Sequence, residues 1–175
     1  MYIALLRGIN VRGKRIKMAH LKKCFEQMGF NDIRTYLQSG NVIFNHNPSD
    51  IAKMTVAIEK NLIQTFGFRV DVIIRTNNEF KSILEGNPFK DADIEPDKLH
   101  ITFLKDWPNK KTVLDLYINK DENEMFEVKG REVYLYLPNG YARTKLTNNM
   151  FEKKLKTIAT TRNWKTVNKL LELAN

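Results

Sequence analysis

Hydrophobic residues first gather at Tyr2, Ile3, Ala4, Leu5 and Leu6, a run long enough for a buried strand and too short for a helix. Over residues 18–28 the spacing changes. Met18, Leu21, Cys24, Phe25 and Met28 recur at helical intervals, and Gly29 supplies the stop. Residues 33–37 and 42–44 then read as two strands across Ser39-Gly40, where Gly40 takes a positive φ at little cost. Ser49 or Asp50 is placed to cap a helix carrying Ile51, Met54, Ile58, Leu62 and Phe66 on one face, with Gly67 at its end. A strand over 70–74 follows, and Asn77 or Asn78 caps a short helix with Phe80, Ile83 and Leu84. The order is βαββαβ plus a helix, the split-βαβ or ferredoxin-like arrangement.

The same order returns further along. Residues 86–97 (GNPFKDADIEPD) hold two prolines and the alternating acids Asp91, Asp93, Glu95 and Asp97, and they read as an acidic linker. Leu99, Ile101 and Phe103 alternate with His100 and Thr102 as a half-buried strand, and Val113, Leu116 and Tyr117 mark a helix. Residues 125–128 pair with 133–137 across Lys129-Gly130. A helix around Met150, Phe151 and Leu155 comes next, then a brief strand over 157–160. The last helix starts at an Asn163 cap and carries Trp164, Val167, Leu170, Leu171 and Ala174. This predicts an α+β fold of two ferredoxin-like subdomains, 1–86 and 98–175, joined by residues 87–97. Each is small enough that a shared interface is expected to contribute to stability.

Composition narrows the classes. Charged residues make up 28% and hydrophobic ones 42%, an ordinary balance for a folded chain. No apolar run is long enough for a membrane span or a signal-peptide core, and Cys24 is the single cysteine, so the sequence reads as cytoplasmic. The net charge of +9 is unevenly placed. Residues 1–30 carry seven Lys/Arg against one acid and residues 143–175 eight against two, leaving a net acidic middle. Basic ends suit a phosphate-bearing ligand or a nucleic acid, although a solubilising surface has the same composition.

Topology turns these charges into two candidate sites. In a ferredoxin-like half, strands one and two run parallel, so the end of strand one and the turn between strands two and three share one sheet edge. Arg7, Asn10 and Lys14 should therefore lie near Gln38, Ser39 and Asn41. Arg7 offers a planar donor fork for an anion and Lys14 a point charge. The plainer alternative is a loop merely shaped by Gly8, Asn10 and Gly13, its backbone satisfied by Asn and Ser side chains. In the second half, strands three and four run parallel. The segment 139–145 with Arg143 and Lys145 is then expected beside Arg162 and Asn163 at the start of the last helix. There the alternative is an Arg162 paired with an acid and an Asn163 that only caps.

Catalytic signals are weak. The loop after the first strand has neither GxxxxGK[ST] nor GxGxxG. Cys24 sits on an apolar helix face, and Ser39 has no identifiable base beside it. His20, His46 and His100 lack metal spacing, so no metal or cofactor is expected. The strand over 41–44 is apolar on both faces, which predicts a covered sheet and argues against RNA binding on the open face.

LLRGINVRGK at residues 5–14, YLQSGNVIF at 36–44 and TTRNWKTVNKLLEL at 160–173 resemble the bacterial family called domain of unknown function 1697. The resemblance runs through essentially the whole chain. It implies two ferredoxin-like halves and no established activity. The family pattern usually has Gly-Gly before the lysine, whereas Arg12 precedes Gly13 here. The added bulk and charge argue against a narrow pocket lined by backbone alone.

The leading expectation is a protein that binds a phosphate-bearing anion, either a nucleotide or a nucleic-acid backbone. Arg7, Asn10, Lys14, Ser39 and Asn41 would form one site, and Arg143, Lys145, Arg162 and Asn163 the other. The rivals are an enzyme with a pocket between the halves, its arginines orienting a carboxylate or phosphate, and a plain interaction module. Oligomeric state is left open.

Overall fold

The computed structural model describes residues 1–11, 13–47, 50–89 and 94–175. Arg12, Ser49, Asp91 and Asp93, each singled out from the sequence, lie outside the described residues. The chain is built from two four-stranded antiparallel sheets with helices, a duplicated ferredoxin-like arrangement. Contacts divide it into two compact units, Met1–Lys81 with Lys169–Asn175, and Ser82–Asn168.

In the first unit, β1 (Tyr2–Leu6), β2 (Asn31–Tyr36), β3 (Asn41–Asn45) and β4 (Val72–Thr76) form a sheet in the order β2-β3-β1-β4. β1 pairs antiparallel with both β3 and β4, as the split-βαβ topology requires. Period-2 alternation sends Tyr2, Ala4, Leu6, Val42, Phe44, Val72 and Ile74 to one face. There they pack with Leu21, Cys24 and Phe25 of α1 (Met18–Gln27) and Met54, Ile58 and Leu62 of α2 (Ile51–Phe66). The opposite face, with Ile3, Leu5, Ile43, Ile73 and Arg75, is buried as well. β3 is thus apolar on both sides because both sides are covered. Asp50 caps α2 by accepting from the Ala52 and Lys53 amides, and Gly67 ends it in the left-handed conformation.

In the second unit, β5 (Leu99–Leu104), β6 (Met125–Lys129), β7 (Glu132–Tyr136) and β8 (Ala159–Asn163) repeat the pattern in the order β6-β7-β5-β8. One face, with Leu104, Val133, Leu135 and Ala159, packs on Phe151 and Leu155 of α5 (Asn148–Leu155). The helix expected through Tyr117 is shorter: α4 (Lys110–Leu114) is capped by Asn109 and ends at Asp115. Val113, Leu116 and Ile118 still reach the core, but as part of an irregular segment.

α3 (Asn77–Glu85) and α6 (Trp164–Ala174) follow the last strand of each repeat. The division between units falls inside these helices, not at 87–97. Hydrogen bonds give the reason. Tyr134 Oη donates to the Ile83 carbonyl at 2.9 Å and Lys129 Nζ to the Gly86 carbonyl at 3.2 Å, tying residues 82–86 to the second sheet. The C-terminus is held in the first unit by Arg34, which donates to the Leu173 carbonyl at 2.9 Å, and by Asn77, which donates to Asn175 at 3.0 Å. Among the described residues no helix is long and apolar enough to cross a membrane.

Candidate functional site

The end of β1 and the β2–β3 turn meet at one edge of the first sheet. The Leu6 amide donates to the Gly40 carbonyl at 2.8 Å, and the Arg7 amide donates to the Asp71 carbonyl at 2.8 Å. Three segments therefore converge: the loop after Leu6, the turn at residues 37–40 and the approach to β4. Arg7, Asn10, Ser39 and Asn41 lie at this end, as the parallel relation of β1 and β2 dictates.

Asn10 ties the loop down. Its Nδ2 donates to the Gln38 carbonyl at 2.6 Å and to the Ile16 carbonyl at 3.2 Å, while its Oδ1 accepts from the Ile16 amide at 2.9 Å. Its φ of 57° lies in the left-handed region, which Asn tolerates better than most residues. Asn41 is fully buried and clamps the turn, donating to the Tyr36 carbonyl at 2.7 Å and to Ser39 Oγ at 3.1 Å. Both amides thus serve the backbone, the plainer of the two roles open to them from the sequence. Asn10→Ala should cost about 1–3 kcal/mol through the unpaired partners. Asn10→Gly, which relieves the φ but loses the same bonds, should fall close to it in urea melts.

With the loop fixed from within, its cations face outward. Lys14, Arg15 and Lys17 are exposed. Lys14 Nζ lies 3.4 Å from the Arg69 carbonyl and 5.9 Å from the centre of the Phe68 ring. Of the acids at this edge, Asp71 accepts from Arg69 through Nε at 3.0 Å and a terminal nitrogen at 2.7 Å, and Glu59 accepts from the Val72 amide at 2.8 Å. The loop feeds into α1, whose N-cap Lys17 makes no side-chain cap bond and whose first turn has no acid. The positive dipole end of a helix without a side-chain cap therefore adjoins the cations.

The second expected cluster does not assemble in the same way. Tyr141 Oη does donate to Thr161 Oγ1 at 3.3 Å, so the segment 139–145 lies beside β8. Thr161 shares its face with Thr102, 2.7 Å away between hydroxyls, and with Asn148 of α5. Strand alternation puts Arg162 on the opposite face. Arg162 is buried and one guanidinium nitrogen donates to Thr160 Oγ1 at 2.8 Å and the Thr161 carbonyl at 2.9 Å. Arg143 and Lys145 are exposed on the loop side. Asn163 accepts from the Thr166 amide at 2.8 Å as the cap of α6.

Sequence reasoning missed Arg75. It is 1% exposed, donates to the Ile74 carbonyl at 3.0 Å and pairs in register with Ile3. Arg162 pairs with Ile101, so each repeat buries an arginine at the fourth position of its last strand. The signal was an arginine at the same place before two capped helices.

His100 stacks on Tyr141 with ring centres 5.6 Å apart, and its Nδ1 lies 3.3 Å from the Lys98 carbonyl. Burial pulls its pKa below the ordinary 6.5, against the opposing pull of that carbonyl. The unfolded chain therefore takes up the proton first, so stability is full above about pH 6.5 and falls as pH drops toward the folded-state pKa. Urea melts should show wild type losing stability relative to His100→Gln across that window. A pH-independent difference would remove the assignment.

Cys24 donates to Asn61 Oδ1 at 2.6 Å, and burial raises its pKa, so it belongs to the core. Among the described residues no three His, Cys, Asp or Glu side chains gather to hold a metal.

The corresponding edge of the second unit repeats the backbone scheme. The Leu104 amide donates to the Arg131 carbonyl at 2.8 Å and the Lys105 amide to the Ile158 carbonyl at 2.9 Å. Here the loop carries Trp107, 73% exposed.

Comparison with known proteins bears on the fold and the family. The conserved bacterial protein SP0830 from Streptococcus pneumoniae has a similar structure, with a TM-score of 0.78 at 22% identity, covering 99% of this chain and 98% of that one. No curated protein matches the chain. The profile described as "Protein of unknown function (DUF1697)" matches residues 1–134, and the chain therefore belongs to that family.

Proposed function

We propose that the chain binds a phosphate-bearing anion, a nucleotide or a nucleic-acid backbone, at the loop edge of the first unit. The observation that carries this reading is a loop pinned at Asn10 with Lys14, Arg15 and Lys17 exposed. Asn10 fixes the loop by three hydrogen bonds, so Lys14, Arg15 and Lys17 are presented without a large ordering cost on binding. Arg7 at the head of the loop adds a guanidinium that can grip two phosphate oxygens. The uncapped start of α1 adds backbone donors of the right polarity. Asn10 and Asn41 support the site in this reading and do not touch the ligand. A cytoplasmic location fits, because such ligands are abundant there.

Thermal melts with inorganic pyrophosphate and with ATP test it. Wild type should melt higher as ligand exceeds its dissociation constant. The double variant K14A/R15A should keep its ligand-free melt, since exposed side chains contribute within about 0.5 kcal/mol, and lose most of the rise. An equal rise in the variant, or none in wild type, would reject the site.

A further inference from the structure

We infer that the loop edge of the second unit binds single-stranded nucleic acid, with a base stacked on Trp107 and phosphates held by the cations around it. Trp107 is held in place yet left open. Gly130 lets the ring lie against the β6–β7 turn, since an added Cβ there would meet it at 3.2 and 3.4 Å. The Arg131 guanidinium sits 5.8 Å from the ring centre. That contact steadies the indole as a platform.

A tryptophan 73% exposed on the loop after β5 has no role in the core. Charge selects its partner. Lys105, Lys110 and Lys111 lie within four residues of Trp107 in sequence, and Arg131 stands beside it. Carboxylates near it among the described residues include Asp106, which accepts from Thr157 Oγ1 at 3.1 Å, and Glu132, whose Oε2 would lie 3.9 Å from a Cβ on Gly130. A flat π surface with Arg131 over it and three lysines close in sequence fits a base and its phosphates better than an acidic peptide, which would leave the ring uncovered. Duplex bases are already stacked, so a single strand is the occupant. The site belongs to the second unit and does not depend on the loop containing Lys14.

Titration with the oligonucleotides dT12 and dA12 at low salt tests the proposal, read by tryptophan emission and by anisotropy of labelled dT12. Binding should quench the emission. Trp107→Ala should weaken binding about 5- to 150-fold, the range for loss of one stacked base. Trp107→Phe should keep most of the affinity. A duplex of equal length should bind more weakly, and K14A/R15A should leave the quench at Trp107 intact. Equal binding by wild type and Trp107→Ala, with no quenching, would overturn the proposal. So would concentration-dependent self-association in sedimentation that Trp107→Ala abolishes, which would assign the ring to a second copy of the chain.

Discussion

Replacing Phe44 with alanine should destabilise the protein by about 3–5 kcal/mol, the range for removing a fully buried aromatic ring. Phe44 is 0% exposed on β3 and stands at the centre of an aromatic cluster. Its ring centre lies 5.6 Å from Tyr2, 5.4 Å from Phe25 and 4.6 Å from Phe30. Those contacts join β1, α1 and the residue leading into β2 on one face of the sheet. Removing the ring leaves a void that three rigid neighbours cannot fill without leaving their own rotamers. Phe44→Leu should recover a large part of the loss. A cost below about 1 kcal/mol for Phe44→Ala would mean that the first core is not packed as described.

Gly40→Ala is the second large effect, and it acts on the candidate edge itself. Gly40 has φ +77°, and a Cβ there would sit 2.6 Å from Ile9 Cδ1, 2.9 Å from Ile9 Cγ1 and 2.9 Å from Leu6 Cβ. Left-handed backbone costs an L-residue about 1–2 kcal/mol. Overpacking in a filled site adds about 1–3 kcal/mol. The sum should be about 2–5 kcal/mol, with the loop pushed away from the turn. Gly140→Ala separates the two contributions, because Gly140 has φ +79° and nothing within 4 Å of its added Cβ. It should show the backbone cost alone. If both variants lost equal stability in urea melts, the close approach of Ile9 to the turn would be wrong.

Much of this fold could be read from the chain because local signals and burial agree. The helix over 51–66 has an apolar stripe, an Asp cap and a glycine stop, and the structure has the same bounds. The last strands of the two repeats were harder. The pattern placed them at 70–74 and 157–160, and they run Val72–Thr76 and Ala159–Asn163. In each case the strand continues through an arginine that the expected range left out. Arg75 and Arg162 lie inside it, because a long side chain can be buried when its guanidinium meets carbonyl and hydroxyl acceptors.

The site was legible as a place and less so as a set of roles. Strand direction alone brings the loop after β1 to the β2–β3 turn, and residues about thirty apart in sequence meet there. No sequence rule decides whether an asparagine in such a loop holds a ligand or its own backbone. Asn10 and Asn41 took the second course. Arg162 and Arg143 were grouped by the side of the sheet from which their segments emerge. The alternation of β8 separates them, since Thr161 and Arg162 point to opposite faces. Trp107 escaped notice because exposure is invisible in an isolated loop sequence.

The central claim is that a phosphate-bearing anion sits on the loop that follows β1. Amide chemical-shift mapping of the nitrogen-15-labelled chain during titration with inorganic pyrophosphate tests it most directly. The largest shifts should fall on Gly8, Asn10, Gly13 to Ala19, and on Gln38 to Gly40, saturating together. Shifts confined to residues 139–145, or no saturable shift at the first loop, would contradict it.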